Sequence, residues 1–389
     1  MKSNYEALGN YVRLIDTRNK HSITDRVLGI NIDKFFMPSV ANVIGTDLSK
    51  YKLITKGKFA CNPMHVGRDE RLPVALYEDN EPAIVSPAYF MFEIIDNTVL
   101  DENYLMMWFR RPEFDRICWL HTDGSVRGGI TWDDICRMEL PIPDVGKQRE
   151  IVKSYKVISD RIELKQRIND NLESAAQTIF HEYFGSFYVS SELPDGWKYT
   201  TLDELCTVRG GKRLPAGCEL LNTPTEHPYI RVRDVGSSRY VCLTNQFQYI
   251  DEETYSQISR YIVNEGDIII SIVGTIGLVG KIHASLDGAN LTENCVKLSN
   301  IHNVTPDYLY YTLLYKKQIK EIELLTVGAV QAKLPMYNIQ TMSMLLPDQE
   351  SLGTFQSKID CINQQVETNT VEIQKLKDWG KLLLAALSR

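Results

Sequence analysis

A phosphate-cradling loop is the first chemistry this sequence could offer. Gly274-Thr275-Ile276-Gly277-Leu278-Val279-Gly280 spaces its glycines after an apolar run. It lacks the GK[ST] ending of a P-loop and the GxGxxG order of a dinucleotide site, so a hairpin turn is the expectation. The sequence holds no GxSxG or HExxH string and no DExx-type ATPase constellation, and its carboxylates are scattered. Eight cysteines and seven histidines neither pair as CxxC nor cluster at ligand spacing. Buried reduced thiols are therefore expected, and no metal site. A non-catalytic role follows.

Asn62-Pro63-Met64-His65 departs at its third and fourth positions from the Asn-Pro-Pro-aromatic motif of amino-methyltransferases, and no glycine-rich cofactor motif accompanies it. Basic residues offer a different chemistry, contact with nucleic acid. Arg209-Gly-Gly-Lys212-Arg213, Arg231-Val-Arg233 with Arg239, and Arg68 with Arg71 are short clusters in loop-like contexts. The net charge of −7 argues against indiscriminate nucleic-acid binding over the whole surface but permits a local basic face. The ordinary reading of any one cluster is a solvated surface.

The elements that would position these residues are announced by a repeat. Gly124-Ser125-Val126-Arg127, followed by Ile130, Ile135, Leu140, Pro143 and Asp144, is echoed by Gly328-Ala329-Val330-Gln331, followed by Leu334, Ile339, Met344, Pro347 and Asp348. Every pair is offset by 204 (328 − 124; 348 − 144), as are Tyr104-Leu105 and Tyr308-Leu309. Solenoid units span only about 20–50 residues, so this period means two copies of a whole domain. Earlier, Lys56–Met64 parallels Glu265–Ser271 at an offset of 209 (266 − 57), leaving five extra residues in the first copy before the Tyr-Leu helix. Loops that differ on a common frame suit different specificities.

A heptad segment follows each copy. Ile151, Tyr155, Ile158, Ile162, Lys165, Asn169, Leu172, Ala176, Ile179 and Tyr183 alternate spacings of 4 and 3. Phe355, Ile359, Ile362, Val366, Asn369, Ile373, Leu376, Gly380, Leu383 and Leu387 do the same, each at its partner plus 204. Such spacing predicts a coiled-coil seam, in which the polar Lys165, Asn169 and Asn369 would set register. Asp144 and Asp348 are the expected N-caps. Each helix would run about 55 Å at 1.5 Å per residue. Paired antiparallel, the two would place one globular domain at each end of a rod, with an internal pseudo-two-fold axis.

The expected fold class is α+β: two similar mixed α/β domains separated by two long helices in an antiparallel coiled coil. The expected divisions are residues 1–144, a helix over 145–185, a second domain over 186–347 and a helix over 348–389. In the second domain, Tyr229–Arg233, Tyr261–Val263, Ile268–Val273 and Cys295–Leu298 read as strands. Asp307–Glu323 reads as a helix, matched by one opening at Asn103–Phe109. The N-terminus shows no apolar signal core and no run is long enough to span a bilayer, so a cytoplasmic protein is expected.

The tandem domain–helix–domain–helix plan resembles the specificity subunit of Type I restriction–modification systems. Phe59-Ala60-Cys61-Asn62-Pro63-Met64 and the string Gly266–Gly277 look like strand motifs of its target-recognition domains. Pro141-Ile142-Pro143 and Leu346-Pro347 look like its domain-to-spacer junctions, although PDVGKQRE and PDQESLGT depart from the common PPLxEQ-like form. Leu193-Pro194-Asp195-Gly196-Trp197 resembles the usual opening of the second recognition domain. The likeness covers nearly the whole chain.

The resemblance implies that each domain reads one half of a split double-stranded DNA target while the helices set the gap. It implies docking of two methyltransferase subunits and, through them, restriction/translocase subunits. Those partners would carry S-adenosylmethionine, ATP and magnesium, and this chain no cofactor. Candidate DNA contacts are Arg68, Arg71 and Arg127 in the first domain, and Lys212, Arg213, Arg231, Arg233, Arg239, Thr275 and Lys333 in the second. Candidate coiled-coil contacts are Ile151, Ile158, Ile162, Asn169, Leu172, Ile179, Phe355, Ile359, Ile362, Val366, Asn369, Ile373, Leu376 and Leu383. Three rival readings are a subunit serving a fused restriction–methylation enzyme, a coiled-coil scaffold joining two protein-binding domains without DNA, and a stand-alone enzyme, which the missing motifs disfavour.

Overall fold

The computed structural model describes residues 5–40, 43, 45–64, 66–122, 128–188, 190, 192–236, 238–328 and 332–386. They form two compact units, Met1–Arg161 with Leu376–Arg389, and Ile162–Lys375. The unit boundaries cut both long helices, so each unit holds one globular domain together with a stretch of each helix. Among the described residues no helix is long and apolar enough to cross a membrane.

The first unit builds a four-stranded antiparallel sheet in the order Val12–Leu14, Phe90–Ile94, Phe59–Cys61, Val74–Leu76. The second unit repeats that order as Thr207–Gly210, Cys295–Ser299, Ile268–Ser271, Val279–Ile282, and adds Tyr240–Val241 as a fifth strand. A smaller sheet accompanies each. Its parallel pair is Val27–Ile30 with Ala83–Val85 in one unit and His227–Ile230 with Asn290–Leu291 in the other. The strands paralleled at offset 209 thus occupy the same sheet position. Gly57 and Gly266, which open them, share φ of +80° and +82°, a turn that only glycine takes freely.

The Tyr-Leu echo has a structural cause. Tyr104 donates its O–H to the Pro141 carbonyl at 3.0 Å, and Tyr308 donates to the Leu345 carbonyl at 2.7 Å. Donor and acceptor are each displaced by 204 (308 − 104; 345 − 141). Each tyrosine is buried and ties a helix to the strand that leads into a long helix.

The helix expected over Asp307–Glu323 is instead two helices, Pro306–Leu314 and Lys316–Leu325. Tyr315 breaks them in an extended conformation, with its ring 4.9 Å from that of Tyr188 and 5.8 Å from that of Phe180. The first copy breaks at the equivalent Arg111, where Pro112 bars its predecessor from helical geometry. Two strands also fall short. Tyr229–Arg233 ends at Ile230, because Asp234 folds back on Arg231 in a short 3-10 turn, and Tyr261–Val263 keeps only an isolated bridge at Ile262.

The long helices span Val145–Phe184 and Gln349–Ala386. Both expected caps are present: Asp144 Oδ1 accepts from the Lys147 amide at 3.1 Å and Asp348 Oδ1 from the Ser351 amide at 2.7 Å. Asp348 also accepts the Trp197 indole N–H at 3.1 Å, which ties the Leu-Pro-Asp-Gly-Trp string to the cap of the second long helix. The Ser351 bond, aided by that indole, holds the Asp348 carboxyl below its usual range.

Gln148 fixes the first helix to its domain. Its side chain is fully buried, donates to the carbonyls of Val99 and Pro143 at 2.8 and 2.7 Å, and accepts from the Asp101 amide at 2.8 Å. Gln148→Leu would leave these groups unpaired. The expected loss is about 2–3 kcal/mol, read as a lower urea midpoint at unchanged slope. A shift under about 0.5 kcal/mol would mean that water replaces the glutamine.

Within the first unit, Ile151, Val152 and Tyr155 share a core with Leu384. Within the second, Phe180 packs on Phe355 at 5.8 Å. These are equivalent pairs (151 + 204 = 355; 180 + 204 = 384), and in each unit the helices run antiparallel. Every expected seam position, Ile151, Ile158, Ile162, Asn169, Leu172, Ile179, Phe355, Ile359, Ile362, Val366, Asn369, Ile373, Leu376 and Leu383, is buried or half-buried; Leu387 lies outside the described residues.

The three polar seam residues meet one another. Lys165 donates to Asn369 Oδ1 at 2.9 Å and pairs with Glu372 at 2.7 Å, while Asn369 donates to Asn169 Oδ1 at 2.8 Å. Lys165 and Asn369 are 204 apart, so a residue here contacts its own repeat counterpart. A buried polar group satisfied in only one alignment is a register device.

Candidate nucleic-acid interface

Each domain carries a hairpin loop clipped to the repeat at Ile130 and Leu334. After Phe59–Cys61 the chain runs through Asn62–Pro73, including the short helix Val66–Asp69, to Val74. The counterpart hairpin turns after Ser271 and returns at Val279. Ile130 N donates to the Pro63 carbonyl at 3.1 Å, and Leu334 N to the Ile272 carbonyl at 3.0 Å. Donors differ by 204 and acceptors by 209 (272 − 63), so this is one clip made twice.

The register locates the length difference. Cys61 pairs with Val74 and its counterpart Ile270 with Val279. The first span is 13 positions and the second 9, so four of the five extra residues lie in this loop (74 − 61 = 13; 279 − 270 = 9). In the second domain the expected glycine turn forms: Gly274 and Gly277 have φ of +81° and +82°, and Ser271 Oγ donates to the Thr275 carbonyl at 2.6 Å while accepting from the Leu278 amide at 2.9 Å. Thr275 is left exposed on that turn.

Most second-domain candidates converge on the same end of the sheets. Lys333 bridges to Val273 and Val327, beside the turn. The Ile272 amide donates to Asn294 O at 2.8 Å, the Lys212 amide to Leu291 O at 2.8 Å, and the Thr292 amide to Ile230 O at 3.0 Å. Lys212, Arg213, Arg231, Arg233, Thr275 and Lys333 therefore sit on loops at adjoining strand ends.

Their charges are not equally available. Arg213 is 80% exposed but ion-paired with Glu293 at 2.6 Å. Arg231 spends its guanidinium on Asp234, at 2.8 and 2.9 Å, and on Gln248. Arg233 is exposed, 3.3 Å from Gln248, and Lys212 lies 5.8 Å from the centre of the Tyr261 ring.

Arg239 is a correction. Its side chain is wholly buried, 3.3 Å from Glu173 of the first long helix, bonded to Asn363 of the second, and over the rings of Tyr310 and Tyr311. A charge with that many buried partners cannot reach a base. It anchors the domain to the helices.

A basic cleft of about 300 Å³ escaped the sequence reading. Arg209, Arg260 and Lys297 line it with Tyr261, Leu291 and Met336, and no carboxylate is among its lining residues. Arg209 and Arg260 are exposed, and Lys297 pairs loosely with Asp267 at 3.5 Å. Arg209 and Lys297 are register partners on adjacent strands, 88 residues apart (297 − 209). Arg209 stood inside a visible basic cluster, whereas only strand pairing could reveal Lys297 and Arg260.

The first domain differs. Arg71 pairs with Asp33 at 3.1 Å in a cleft of about 480 Å³ lined by Lys34, Arg110 and Arg116, and also by Asp69, Glu70 and Asp115. Lys34 is buried and bonds Asp115 at 2.6 Å; burial pushes its ammonium pKa down against that carboxylate. Arg68 is carried by the short helix Val66–Asp69. Arg127 lies outside the described residues, as does the rest of Gly124–Arg127.

Residues 194–378 match the family model of the Type I restriction modification DNA specificity domain. The chain is 22% identical to the Type I restriction enzyme HindI specificity subunit of Haemophilus influenzae, over 98% of this chain and 97% of that one. It is 22% identical to the MjaIX specificity subunit of Methanocaldococcus jannaschii, over 68% of this chain and 64% of that one. In fold it is similar to the Type I restriction–modification S subunit from M. genitalium, with a TM-score of 0.53 at 14% identity over 99% and 96% of the two chains. The family match covers the second domain, and the first shares its sheet order, its clip and its tyrosine anchor. Residues 194–378 thus match the Type I DNA specificity domain, and over nearly its whole length the chain is similar to Type I restriction enzyme specificity subunits.

Proposed function

We propose that this chain selects a bipartite DNA target, one half per domain, for a complex of two methyltransferase subunits and associated restriction/translocase subunits. One observation carries the reading: in both domains the same backbone clip holds a hairpin loop whose length differs between copies, at the same end of the same sheet. Base reading needs side chains that vary on a fixed frame, while backbone contacts to phosphate position that frame. The loop supplies the first. In the second domain, Arg209, Arg260 and Lys333 supply exposed charge for the other. S-adenosylmethionine, ATP and magnesium belong to the partners on this reading.

Methylome mapping of cells carrying the chain and its methyltransferase partner tests it. The expected result is one methylated motif with two defined halves and a fixed gap. Methylation without a split motif, or sequence-independent binding by the purified complex, would overturn the reading. The second of these outcomes would favour a scaffold.

A further inference from the structure

Among the described residues, the buried cluster around Arg239 has no counterpart in the first copy. Lys281 pairs with Asp307 at 2.5 Å, and Asp307 accepts from Asn363 at 2.9 Å and Gln356 at 2.8 Å. Asn363 also binds Arg239, which faces Glu173. The second recognition domain, the first long helix and the second long helix thus meet through charge. At the repeat-equivalent positions stand Asn103 for Asp307, Val152 for Gln356, Ser159 for Asn363 and Lys377 for Glu173, each at an offset of 204. The strand that follows Arg239, Tyr240–Val241, is the fifth strand that the first sheet lacks. The first domain meets its helix stretches through an apolar core that includes Ile151, Val152, Tyr155 and Leu384 and through the neutral hydrogen bonds of Gln148, with no such buried ion cluster among the described residues.

Both attachments have an apolar core, and they differ in charge: neutral hydrogen bonds accompany it in the first unit and an ion cluster in the second. Apolar contact is non-directional and tolerates small slides. A buried ion cluster does not, because a shifted partner leaves an uncompensated charge in a dry site. Burial pushes the Glu173 carboxyl up. Burial opposes ionisation of Asp307, but Lys281, Gln356 and Arg239 together hold that carboxyl below its usual range. Stability alone would be served as well by the apolar packing that the first copy uses.

We propose that the Arg239–Glu173–Asn363–Asp307–Lys281 cluster is a positioning device that fixes the second recognition domain on the long helices and so restricts which half-site gap is accepted. This rests on the bipartite reading above. One base pair more or less moves a half-site by about 3.4 Å along the duplex and about 35° around it. A domain held by a buried ion cluster that fits one placement rejects that displacement.

The test uses the full chain with its methyltransferase partner, on synthetic duplexes carrying the mapped target with its native gap or a gap one base pair shorter or longer. The variant Arg239→Met/Glu173→Met/Asp307→Asn/Lys281→Met replaces the charges with neutral groups, as the first copy does at Asp307. It is expected to keep both half-site sequences while its preference for the native gap falls from about tenfold or more to under about threefold. A folded variant with undiminished gap preference overturns the inference. Should the quadruple variant fail to fold, Glu173→Gln decides, since it keeps shape and removes one charge: a gap preference at least about twofold weaker supports the device and an unchanged one overturns it. Absence of any bipartite preference in the wild-type complex would instead sink the proposed function, so the two failures are distinguishable.

Discussion

A variant carrying Arg209→Ala, Arg260→Ala and Lys333→Ala should bind target DNA on the order of 100-fold more weakly at moderate salt, with its half-site preferences intact. All three side chains are exposed near the clipped loop end, and among the described residues none is in an ion pair of the kind that occupies Arg213 or Arg231. A solvent-exposed contact contributes about 1 kcal/mol net, so three together sum to about 3 kcal/mol, and every 1.4 kcal/mol is about tenfold. Each lost phosphate contact should also lower the slope of log affinity against log salt by about 0.9, so the triple variant should lose about 2–3 units of slope. Titrating fluorescent duplex at several salt concentrations measures both quantities. An unchanged slope would remove this cleft from the DNA path, and a changed motif would make these residues readers of bases. Arg239→Ala should leave the salt slope alone, because its charge is buried.

The second large effect is on folding. Phe355→Ala should lower the stability of the chain by about 3–5 kcal/mol. Phe355 is fully buried at the centre of an aromatic cluster, with ring centroids 5.3 Å from Phe184, 5.8 Å from Phe180 and 6.1 Å from Tyr311. Those rings come from the first long helix and from the domain, so truncation removes packing on both sides. At about 2–4 °C per kcal/mol for a unit of this size, melting should fall by roughly 6–20 °C. A fall under about 3 °C would show that the cluster repacks around the gap. The first copy has Ile151 at this position, against Leu384, so the aromatic version is specific to the second unit.

Much of this arrangement was legible in the sequence. A period of 204 exposed two domains because the same tyrosine must reach the same carbonyl and the same cap must start the same helix. The heptads were legible because a seam demands burial at every third or fourth residue. The candidate site was harder to read. Arg239 looked like its neighbours Arg231 and Arg233, since nothing local distinguishes an arginine aimed at a helix from one aimed at solvent. Lys297 and Arg260 become neighbours of Arg209 only through strand pairing, which short-range patterns do not encode. The break at Tyr315 was invisible for a similar reason. In the first copy Pro112 announces it, and in the second only tertiary aromatic contacts impose it.

The glutamine at the helix junction has an evolutionary consequence. Gln148 donates to the Val99 carbonyl, and in the other copy Gln349 donates to the Asn303 carbonyl at 2.8 Å. The acceptors are equivalent (303 − 99 = 204), yet the donors are not, since Gln148 corresponds to Leu352 (148 + 204). Gln349 corresponds to Val145 (349 − 204), three residues before Gln148, so equivalent carbonyls are met from positions about one turn apart on one helix face. Each copy thus supplies the same acceptor with a glutamine donor from a different repeat position. A column-by-column alignment of the two halves would therefore score as lost a contact that both halves retain, and ancestry at this junction is better traced through acceptors than through side chains.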